Sequence, residues 1–357
     1  MPKISIIMPT YNVQDYLPAA MESVINQTFS DIEIICINDG STDNSLQILE
    51  DYARKDNRIK IIDQQNQGVS AARNAGINVS EGEYIMFIDP DDTYDLTLCE
   101  KVVEKIDTEH PDIVMWGHNS LSDKKIVKRN GYGYLLRRLS NNLKVSLKNW
   151  LTLQIFIWDK AFKRDFLIKN DIKFPEGIKN AEDIIFCLFT YYTKPKYSFI
   201  PESLYFYTQY RKDAATNHDN CIQNDLTAYR YLCTTNEYKS ISQRLKTATT
   251  NHILGGSIHY WRYAEDEEQR QKYKRDIVEF LVFVKGQFDL LELLKMSNYQ
   301  KLKHLLFKYE HKIFFDMFDI RTTDTDKTFI LFGKKFRVKR WGKLLRERLI
   351  NKDVSNN

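Results

Sequence analysis

Short apolar runs and longer mixed segments alternate along the first hundred residues of the chain. The first run is Ile4-Ser5-Ile6-Ile7-Met8, and in the mixed segments the apolar residues recur every three or four positions. Continuous apolar runs are typical of strands buried on both faces of a parallel sheet, whereas the longer spacing is typical of helices. This alternation predicts an α/β fold with a mainly parallel sheet and right-handed crossovers. Strands are predicted at residues 4–8, 32–37, 59–62 and 84–88, and helices at residues 15–26 and 69–79.

Three carboxylates, Asp89, Asp91 and Asp92, directly follow the apolar run 84–88. A parallel sheet binds its ligands at the carboxyl ends of its strands. Asp89 and Asp91 are two positions apart, so on an extended backbone they project to the same side. Converging carboxylates repel one another unless a cation neutralises them, and oxygen ligands suit Mg²⁺ or Mn²⁺. The sequence predicts a divalent metal site here; the alternative is a turn in which Asp92 or Thr93 caps the next helix.

A second pair of acids, Glu182 and Asp183, stands directly before the apolar stretch 184–189. This position predicts a helix N-terminus, where the helix dipole favours the charged form of a carboxylate. We therefore expect the dipole to lower the pKa of Asp183 and to keep this acid ionised. The alternative is a pair of N-cap residues without a chemical role.

Composition and charge limit the class of protein. The 357 residues suffice for two domains, and 43% of them are hydrophobic. The net charge of +4 is too small to imply a nucleic-acid partner. The five cysteines form no C-x-x-C, so neither a zinc site nor a disulfide framework is indicated. No apolar run has the length of a membrane span, and no signal peptide is expected. A cytoplasmic protein, soluble or peripheral to a membrane, is predicted.

The last third of the chain has two parts. Residues 220–305 show helical spacing and many charges, which predicts a helical module that shapes an acceptor site or supports homo-oligomerisation. Residues 333–349 are rich in Lys and Arg, and a helix there would place Trp341, Leu344, Leu345 and Leu349 on one face. That composition is typical of an interfacial helix attracted to an anionic membrane surface. The alternatives are a solvated terminal helix and a basic arm for nucleic acid.

Four ordered motifs resemble those of family 2 glycosyltransferases of the GT-A fold, bacterial enzymes that use nucleotide-sugar donors. The motifs are Pro9-Thr10-Tyr11-Asn12, Asn38-Asp39-Gly40-Ser41-Thr42-Asp43, Gly68-Val69-Ser70-Ala71-Ala72-Arg73-Asn74 and Asp89-Pro90-Asp91-Asp92. The resemblance implies that Pro9, Tyr11 and Asp39 line a nucleoside pocket and that Arg73 lies near the donor. It also implies that Asp91 contacts the metal directly, while Asp89 faces the ribose or the metal. From the residues alone, a turn or cap acid is the favoured explanation of Asp39.

The resemblance continues more weakly on the acceptor side. Trp158-Asp159-Lys160, Phe174-Pro175-Glu176-Gly177 and the Glu182-Asp183 pair follow the order seen in similar enzymes, which implies that Asp183 is the catalytic base and Glu182 its neighbour in the site. The segment 207–211 resembles a Y-x-x-Y-R motif whose Arg211 reaches the diphosphate. The family usually places a Ser shortly after this Arg, where this chain has Ala214 and Ala215. His218 is a candidate to complete the metal shell.

The expected function is an inverting, metal-dependent transfer of a hexose or N-acetylhexosamine from a UDP-sugar to a bacterial surface glycan. The acceptor is an oligosaccharide or lipid-linked glycan, the cofactor is Mn²⁺ or Mg²⁺, and the enzyme acts at the inner face of the cytoplasmic membrane. Two other classes stay open, namely a sugar nucleotidyltransferase and a nucleotide-sugar-binding protein without activity. The first would need a Gly- and Lys/Arg-rich phosphate loop after the first strand, which is absent.

The same interpretation predicts the domain boundaries. Residues 1–218 form the catalytic domain, residues 219–330 the helical module and residues 331–357 the basic tail. Within the catalytic domain, residues 1–117 form the nucleotide-sugar half and residues 118–218 the acceptor half.

Overall fold

The computed structural model describes most of the chain. The described residues are 1–122, 125–129, 156–178, 181–208, 220–262, 264, 266–309, 318–322, 327–331 and 334–338. Arg211, His218 and most of the polar stretch 120–142 lie outside them. The chain divides into two compact units, residues 1–301 and residues 302–357.

The first unit is built on one mixed sheet, which has nine strands within the described residues. The strands are β1 Ile4–Thr10, β2 Ile32–Asp39, β3 Ile59–Gln64, β4 Tyr84–Phe87, β5 Thr93–Tyr94, β6 Ile113–Ser122, β7 Lys125–Arg129, β8 Lys160–Lys163 and β9 Tyr197–Thr208. Their order is β3-β2-β1-β4-β8-β6-β9-β5, and β7 pairs with β6. Strands β1 to β4 run parallel to one another, whereas β8 lies antiparallel between β4 and β6. The predicted α/β fold is confirmed.

The position of β1 decides where the ends of the strands meet. It lies between β2 and β4, and all three are fully buried along their length. Fully buried parallel strands need apolar side chains on both faces, which explains their continuous apolar runs. The residues after β1, β2 and β4 therefore lie at one edge of the sheet.

Six helices of the described residues accompany this part of the chain. They are α1 Leu17–Ile25, α2 Ser45–Ala53, α3 Val69–Val79, α4 Leu98–Glu109, α5 Arg164–Lys169 and α6 Glu182–Tyr192. Helix α3 packs directly on the sheet, because a Cβ atom at Gly76 would lie 2.6 Å from Ile7 Cγ2 and 3.0 Å from Ile37 Cδ1. Any larger residue at Gly76 would push α3 outwards. Arg73, one turn earlier on α3, is held in place by this close contact.

The helical segment that follows β9 confirms the predicted helical module. Its helices are α7 Cys221–Thr234, α8 Asn236–Ser240, α9 Gln243–Arg262, α10 Glu267–Lys285, α11 Leu290–Lys295 and α12 Ser297–Tyr309. Tyr229, Leu254 and Phe280 are buried between them, and the hydroxyls of Tyr229 and Thr250 are hydrogen-bonded at 2.7 Å. No helix in the described ranges combines the length and apolarity that a bilayer span requires.

The second unit contains an antiparallel sheet of three described strands. They are β10 Phe318–Thr322, β11 Lys327–Leu331 and β12 Lys334–Val338. Residues 334–338 of the basic segment are a strand, because their backbone groups pair with β11, so an interfacial helix in this segment does not include them. Residues 339–357, which carry the predicted apolar face at Trp341, Leu344, Leu345 and Leu349, lie outside the described residues.

Candidate active site

Arg73 of α3 connects the two groups of acids found in the sequence. Its guanidinium donates hydrogen bonds from Nη1 to Glu182 Oε1 (2.7 Å) and from Nη2 to Asp89 Oδ1 (3.1 Å). The arginine is 5% exposed, and its guanidinium carbon lies 5.3 Å from the centre of the Phe174 ring. A buried cation needs such anionic partners, because an unpaired buried charge is strongly destabilising. The end of β4 and the start of α6 therefore share one buried cation.

Asn74, the next residue on α3, fixes the loop that leads towards α6. Its Oδ1 accepts a hydrogen bond from the Phe174 N–H (2.9 Å), and its Nδ2 donates to the Phe174 carbonyl (3.0 Å) and to Glu176 Oε1 (3.2 Å). Asn74 belongs to the third motif, but no role was predicted for it. Together, Arg73 and Asn74 bind the F-P-E-G and E-D segments about 100 residues further along the chain.

The three acids after β4 have different environments. Asp92 is 1% exposed and accepts hydrogen bonds from the Tyr205 hydroxyl (2.6 Å) and the Thr208 N–H (2.7 Å) of β9. Its burial, and then repulsion from Asp91 and Asp89, raise its pKa well above the usual range. The alternative in which Asp92 or Thr93 caps the next helix is wrong, since α4 begins at Leu98. Asp92 instead anchors β9 beside the other two acids.

Asp89 and Asp91 are the acids left half-buried at this edge. Asp89 bonds to Arg73, and the backbone carbonyl of Asp91 accepts a hydrogen bond from the Thr208 hydroxyl (2.7 Å). Within the described residues there is no group of three or more His, Cys, Asp or Glu side chains that could hold a metal. His218 lies outside those residues, so its predicted role stays a prediction. The side chains of Asp89 and Asp91 supply carboxylate oxygens of the kind that Mg²⁺ and Mn²⁺ prefer.

Asp39, at the end of β2, holds the loop that precedes α3. Its Oδ1 accepts hydrogen bonds from Gln64 Nε2 (2.7 Å) and the Gln67 N–H (2.9 Å), and its Oδ2 accepts one from the Gly68 N–H (2.8 Å). The acid is 3% exposed. These contacts are those of the turn or cap acid that the sequence left open as the alternative to a nucleoside contact.

The loops after β1 and β2 are bonded into one wall. Asn12 adopts a left-handed conformation (φ 50°), and its Oδ1 accepts a hydrogen bond from the Thr42 N–H (2.8 Å). Gly40 has φ 72°, and a Cβ atom there would lie 2.8 Å from the Asn66 nitrogen, so only glycine fits. Pro9 is buried in β1, while Tyr11 is 49% exposed beside this wall. The structure thus brings Pro9, Tyr11 and Asp39 to the same edge as Asp89.

The backbone turns sharply into α6 immediately before the second pair of acids. Ala181 occupies the N-cap position with φ 63°, a left-handed conformation that costs about 1–2 kcal/mol for a non-glycine residue. Neither Glu182 nor Asp183 is the N-cap residue, because both lie in the first turn of the helix. Glu182 is buried and bonded to Arg73, whereas Asp183 is half-buried.

The predicted direction of the Asp183 pKa is wrong. Burial, and then repulsion from Glu182, raise the pKa of Asp183 from its usual value near 4 to about 7, although Arg73 and the Ile184 N–H act in the opposite direction. A helix dipole is worth about 0.3–1 kcal/mol at an exposed N-terminus, whereas loss of solvent shifts a carboxyl pKa by up to about 3–5 units. Desolvation therefore outweighs the dipole, and Asp183 changes its charge near neutral pH.

Stacked aromatic rings hold Tyr205 in place beside Asp89 and Asp92. The Trp158 ring stacks on Tyr205 with centroids 4.4 Å apart, and on Phe156 at 4.5 Å. The Tyr205 hydroxyl accepts a hydrogen bond from the Asp89 N–H (3.3 Å) while it donates to Asp92. The W-x-K motif gave a signal for Trp158, but nothing near Tyr205 in the sequence indicated its role.

A family model described as glycosyl transferase family 2 matches residues 5–169. The glycosyltransferase EpsJ of Bacillus subtilis, itself described as uncharacterized, is 32% identical over 262 residues, which cover 70% of each chain. The chain belongs to glycosyltransferase family 2. For two further relatives, the matched region spans 60% of the relative's own length.

Solved structures show the same fold. The glycosyltransferase resembles residues 1–349 of TarS from Staphylococcus aureus with a TM-score of 0.63 and 20% identity, over 95% of this chain and 97% of TarS 1–349. TarS 1–349 has also been solved with UDP-GlcNAc. A mannosyltransferase from Pyrobaculum calidifontis, solved with GDP-Man and Mn²⁺, has a TM-score of 0.51 and 14% identity over 86% of this chain and 83% of its own. The predicted GT-A fold is confirmed.

Proposed function

We propose that this glycosyltransferase transfers a sugar from a UDP-sugar to a hydroxyl group of a bacterial surface glycan, with inversion at the anomeric carbon. The observation that carries the proposal is the bridge formed by Arg73. This residue bonds to Asp89 of the D-x-D motif and to Glu182, the neighbour of Asp183. A donor bound at the first group of acids would thus lie beside a base at the second.

The donor side is the edge where β1, β2 and β4 end. Pro9, Tyr11 and Asp39 stand around the loops at this edge, and Asp39 keeps the loop before α3 in place for a nucleoside. The UDP-GlcNAc complex of TarS supports a uridine donor for a chain of the same fold. In this proposal the exposed ring of Tyr11 packs against the uracil, and Arg211 reaches the diphosphate.

The chemistry at the acceptor side rests on Asp183. In its ionised form the carboxylate accepts the proton of the acceptor hydroxyl, whose oxygen forms a bond to the anomeric carbon. The bond from that carbon to the diphosphate oxygen breaks on the opposite face, and UDP leaves with the electron pair. A base with a pKa of about 7 is well matched to work at neutral pH, because it is both available and sufficiently basic.

The residues present fit a divalent cation. Asp91, assisted by Asp89, would hold it, and the repulsion that these two acids exert on Asp92 is of the kind that a cation relieves. Bound Mn²⁺ or Mg²⁺ supplies positive charge close to the departing diphosphate. The buried Arg73 adds a fixed positive charge at the same place without any metal.

We also propose that the enzyme acts as a peripheral protein at the inner face of the cytoplasmic membrane. The basic residues of positions 339–357 would be attracted to anionic lipid, at about 1 kcal/mol for each Lys or Arg near the surface. Removal of residues 339–357 keeps β12 intact and should abolish sedimentation with anionic vesicles. Vesicle binding that survives the deletion, or that added salt does not weaken, would contradict this part of the proposal.

The direct test of the function is nucleoside diphosphate release from a panel of UDP-sugars and GDP-sugars, measured with Mn²⁺, with Mg²⁺ and with a chelator. We expect one or two UDP-sugars to be consumed, faster with a soluble glycan acceptor and faster with metal. Consumption of GDP-sugars alone, or none of any sugar nucleotide, would contradict the proposal.

A further inference from the structure

A second buried acid lies close to Asp183 but belongs to the helical module. Asp225 of α7 is 6% exposed, and its carboxyl group makes no hydrogen bond or ion pair with any residue that the structure describes. Burial, and then repulsion from Asp183, raise the pKa of Asp225 to about 8. A carboxyl group that the fold leaves without a protein partner is available to bind a ligand.

Helix α9 leaves a space for this carboxyl group. A Cβ atom at Gly256 would lie 2.9 Å from Asp225 Oδ2 and 3.7 Å from Tyr260 Cε2. A glycine in the interior of a helix is destabilising relative to alanine, yet α9 has one at this position. Tyr260 follows Gly256 by four residues and therefore lies on the same face of α9.

This face of the module is turned towards the candidate base. The Tyr192 hydroxyl at the end of α6 is 3.3 Å from Thr249 Oγ1, near the beginning of α9. Burial is the main cause that raises the pKa of Tyr260, near the end of α9, followed by repulsion from Asp225 and, more weakly, from Asp183 at the start of α6. Helix α7, which carries Asp225 near its start, packs against both α6 and α9. This packing brings Asp225 and Tyr260 to the side of the module where Asp183 acts on both of them.

We propose that Asp225 and Tyr260 bind hydroxyl groups of the acceptor and so position the reacting hydroxyl at Asp183. The inference rests on the proposed function, because it names the acceptor side of the same site. A neutral carboxyl group offers one O–H donor and acceptor oxygens, and a phenol offers one of each, a set that matches neighbouring hydroxyls of a sugar or polyol. Asp183, which acts in its ionised form, would repel an anionic group. The unit bound here is therefore an uncharged, hydroxyl-rich one.

The test compares acceptor kinetics in three variants of the full chain, with methyl glycosides of glucose, galactose and N-acetylglucosamine as acceptor probes. Asp225→Asn keeps the shape but replaces one oxygen, which can donate or accept, with an NH₂ group that only donates. Gly256→Ala fills the space beside it. We expect each to raise the acceptor KM at least tenfold while the KM for the UDP-sugar stays within twofold. Asp276→Asn is the control, since Asp276 is also a buried acid of the module but is bonded to Gln223 (2.9 Å).

An unchanged acceptor KM in both Asp225→Asn and Gly256→Ala would overturn the inference, and so would an equal rise in Asp276→Asn. If the wild type releases no UDP, the proposed function fails by itself. Equilibrium binding of the same methyl glycosides, measured by ligand-observed NMR, then tests whether Asp225 binds the acceptor. Weaker binding in the two variants supports the role of this acid, and equal binding in all proteins overturns it.

Discussion

The donor side and the acceptor side of the site hold their acids in different ways. On the donor side, Asp39 and Asp92 each accept at least two hydrogen bonds from groups that the fold keeps fixed. On the acceptor side, Asp183 accepts one from the adjacent Ile184 N–H (2.7 Å), and Asp225 has no such partner among the described residues. Burial raises the pKa of Asp183 to about 7, although Arg73 and the Ile184 N–H partly offset it, and burial raises the pKa of Asp225 to about 8. Burial raises the pKa of Asp92 as well, but both of its oxygens are bonded to β9. Asp39 and Asp92 are therefore parts of a fixed frame, whereas Asp183 and Asp225 are able to exchange protons near neutral pH.

Removing the acceptor-side base should have the largest effect. Asp183→Asn is nearly isosteric, so kcat should fall about 10²- to 10⁴-fold, the usual contribution of a general base, while UDP affinity stays within a few-fold. Steady-state UDP release and calorimetry measure the two quantities. Because the raised pKa means that ionised Asp183 is penalised in the folded state, stability is lost as pH rises through about 7. The variant should therefore be at least as stable as the wild type at pH 8.

Glu182→Gln is the matched control for Asp183→Asn. Glu182 bonds to Arg73 rather than to the acceptor, so its variant should lose stability more than it loses kcat. A dead Glu182→Gln enzyme beside an active Asp183→Asn enzyme would mean that the base is assigned to the wrong acid.

Removing Arg73, which bridges the two sides, should have the second-largest effect. Arg73→Met leaves Asp89 and Glu182 without their shared cation, and breaking a buried pair typically costs about 3–5 kcal/mol of the free energy of unfolding. Arg230→Met is the control, because Arg230 also pairs with a carboxylate (Glu279) and lies 5.3 Å from a phenylalanine ring, but is 46% exposed. The Arg230→Met variant should lose less than about 1 kcal/mol of the free energy of unfolding. Equal losses in urea denaturation would contradict a special role for Arg73.

Asp91→Asn tests the donor side for its metal. The change removes a charge and a ligand from a site suited to a hard cation, so we expect UDP affinity in Mn²⁺ to fall at least tenfold, to the level that the wild type shows with a chelator. Calorimetry with and without Mn²⁺ measures this. Full Mn²⁺-dependent affinity in the variant would show that the acids after β4 do not hold the metal.

Asp39→Asn should have the smallest effect of the four. The amide offers one acceptor oxygen where the carboxylate uses two, and its NH₂ group would face N–H donors, which costs about 1–3 kcal/mol. Urea denaturation measures this loss. Asp63→Asn is the control, since Asp63 is exposed and its variant should change stability by less than about 0.5 kcal/mol. If the Asp39→Asn variant were as stable as the wild type, Asp39 would not be needed to hold the loop before α3.

Much of the donor side could be predicted from local patterns. The apolar run of β4 and the acids that follow it are adjacent in the sequence, and the position of strand ends in a parallel sheet follows from a general rule. The separate role of Asp92 could not be predicted, because it depends on Tyr205 and Thr208 of β9, more than 110 residues away. Such long-range contacts leave no local signal.

The acceptor side was harder to predict for the same reason. The order of motifs pointed to Asp183, but its pKa is set by burial among elements that the sequence does not place side by side. Asp225 and Gly256 gave no signal in the sequence, because an acid and a glycine in helical segments are ordinary on a solvated face. Only the packing of α7 against α9 brings them together.

The pH dependence of kcat/KM for the acceptor, at saturating donor, tests the central claim most directly. The base acts in its ionised form, so activity should rise with pH and have the midpoint of this rise near pH 7, where Asp183 titrates. Activity should fall again above about pH 8, where Asp225 loses the proton with which it binds the acceptor. The residual activity of Asp183→Asn should lack this rise. A wild-type profile that is already flat from pH 5 to pH 8, or a rise near pH 7 that persists in Asp183→Asn, would contradict the assignment of Asp183 as the base.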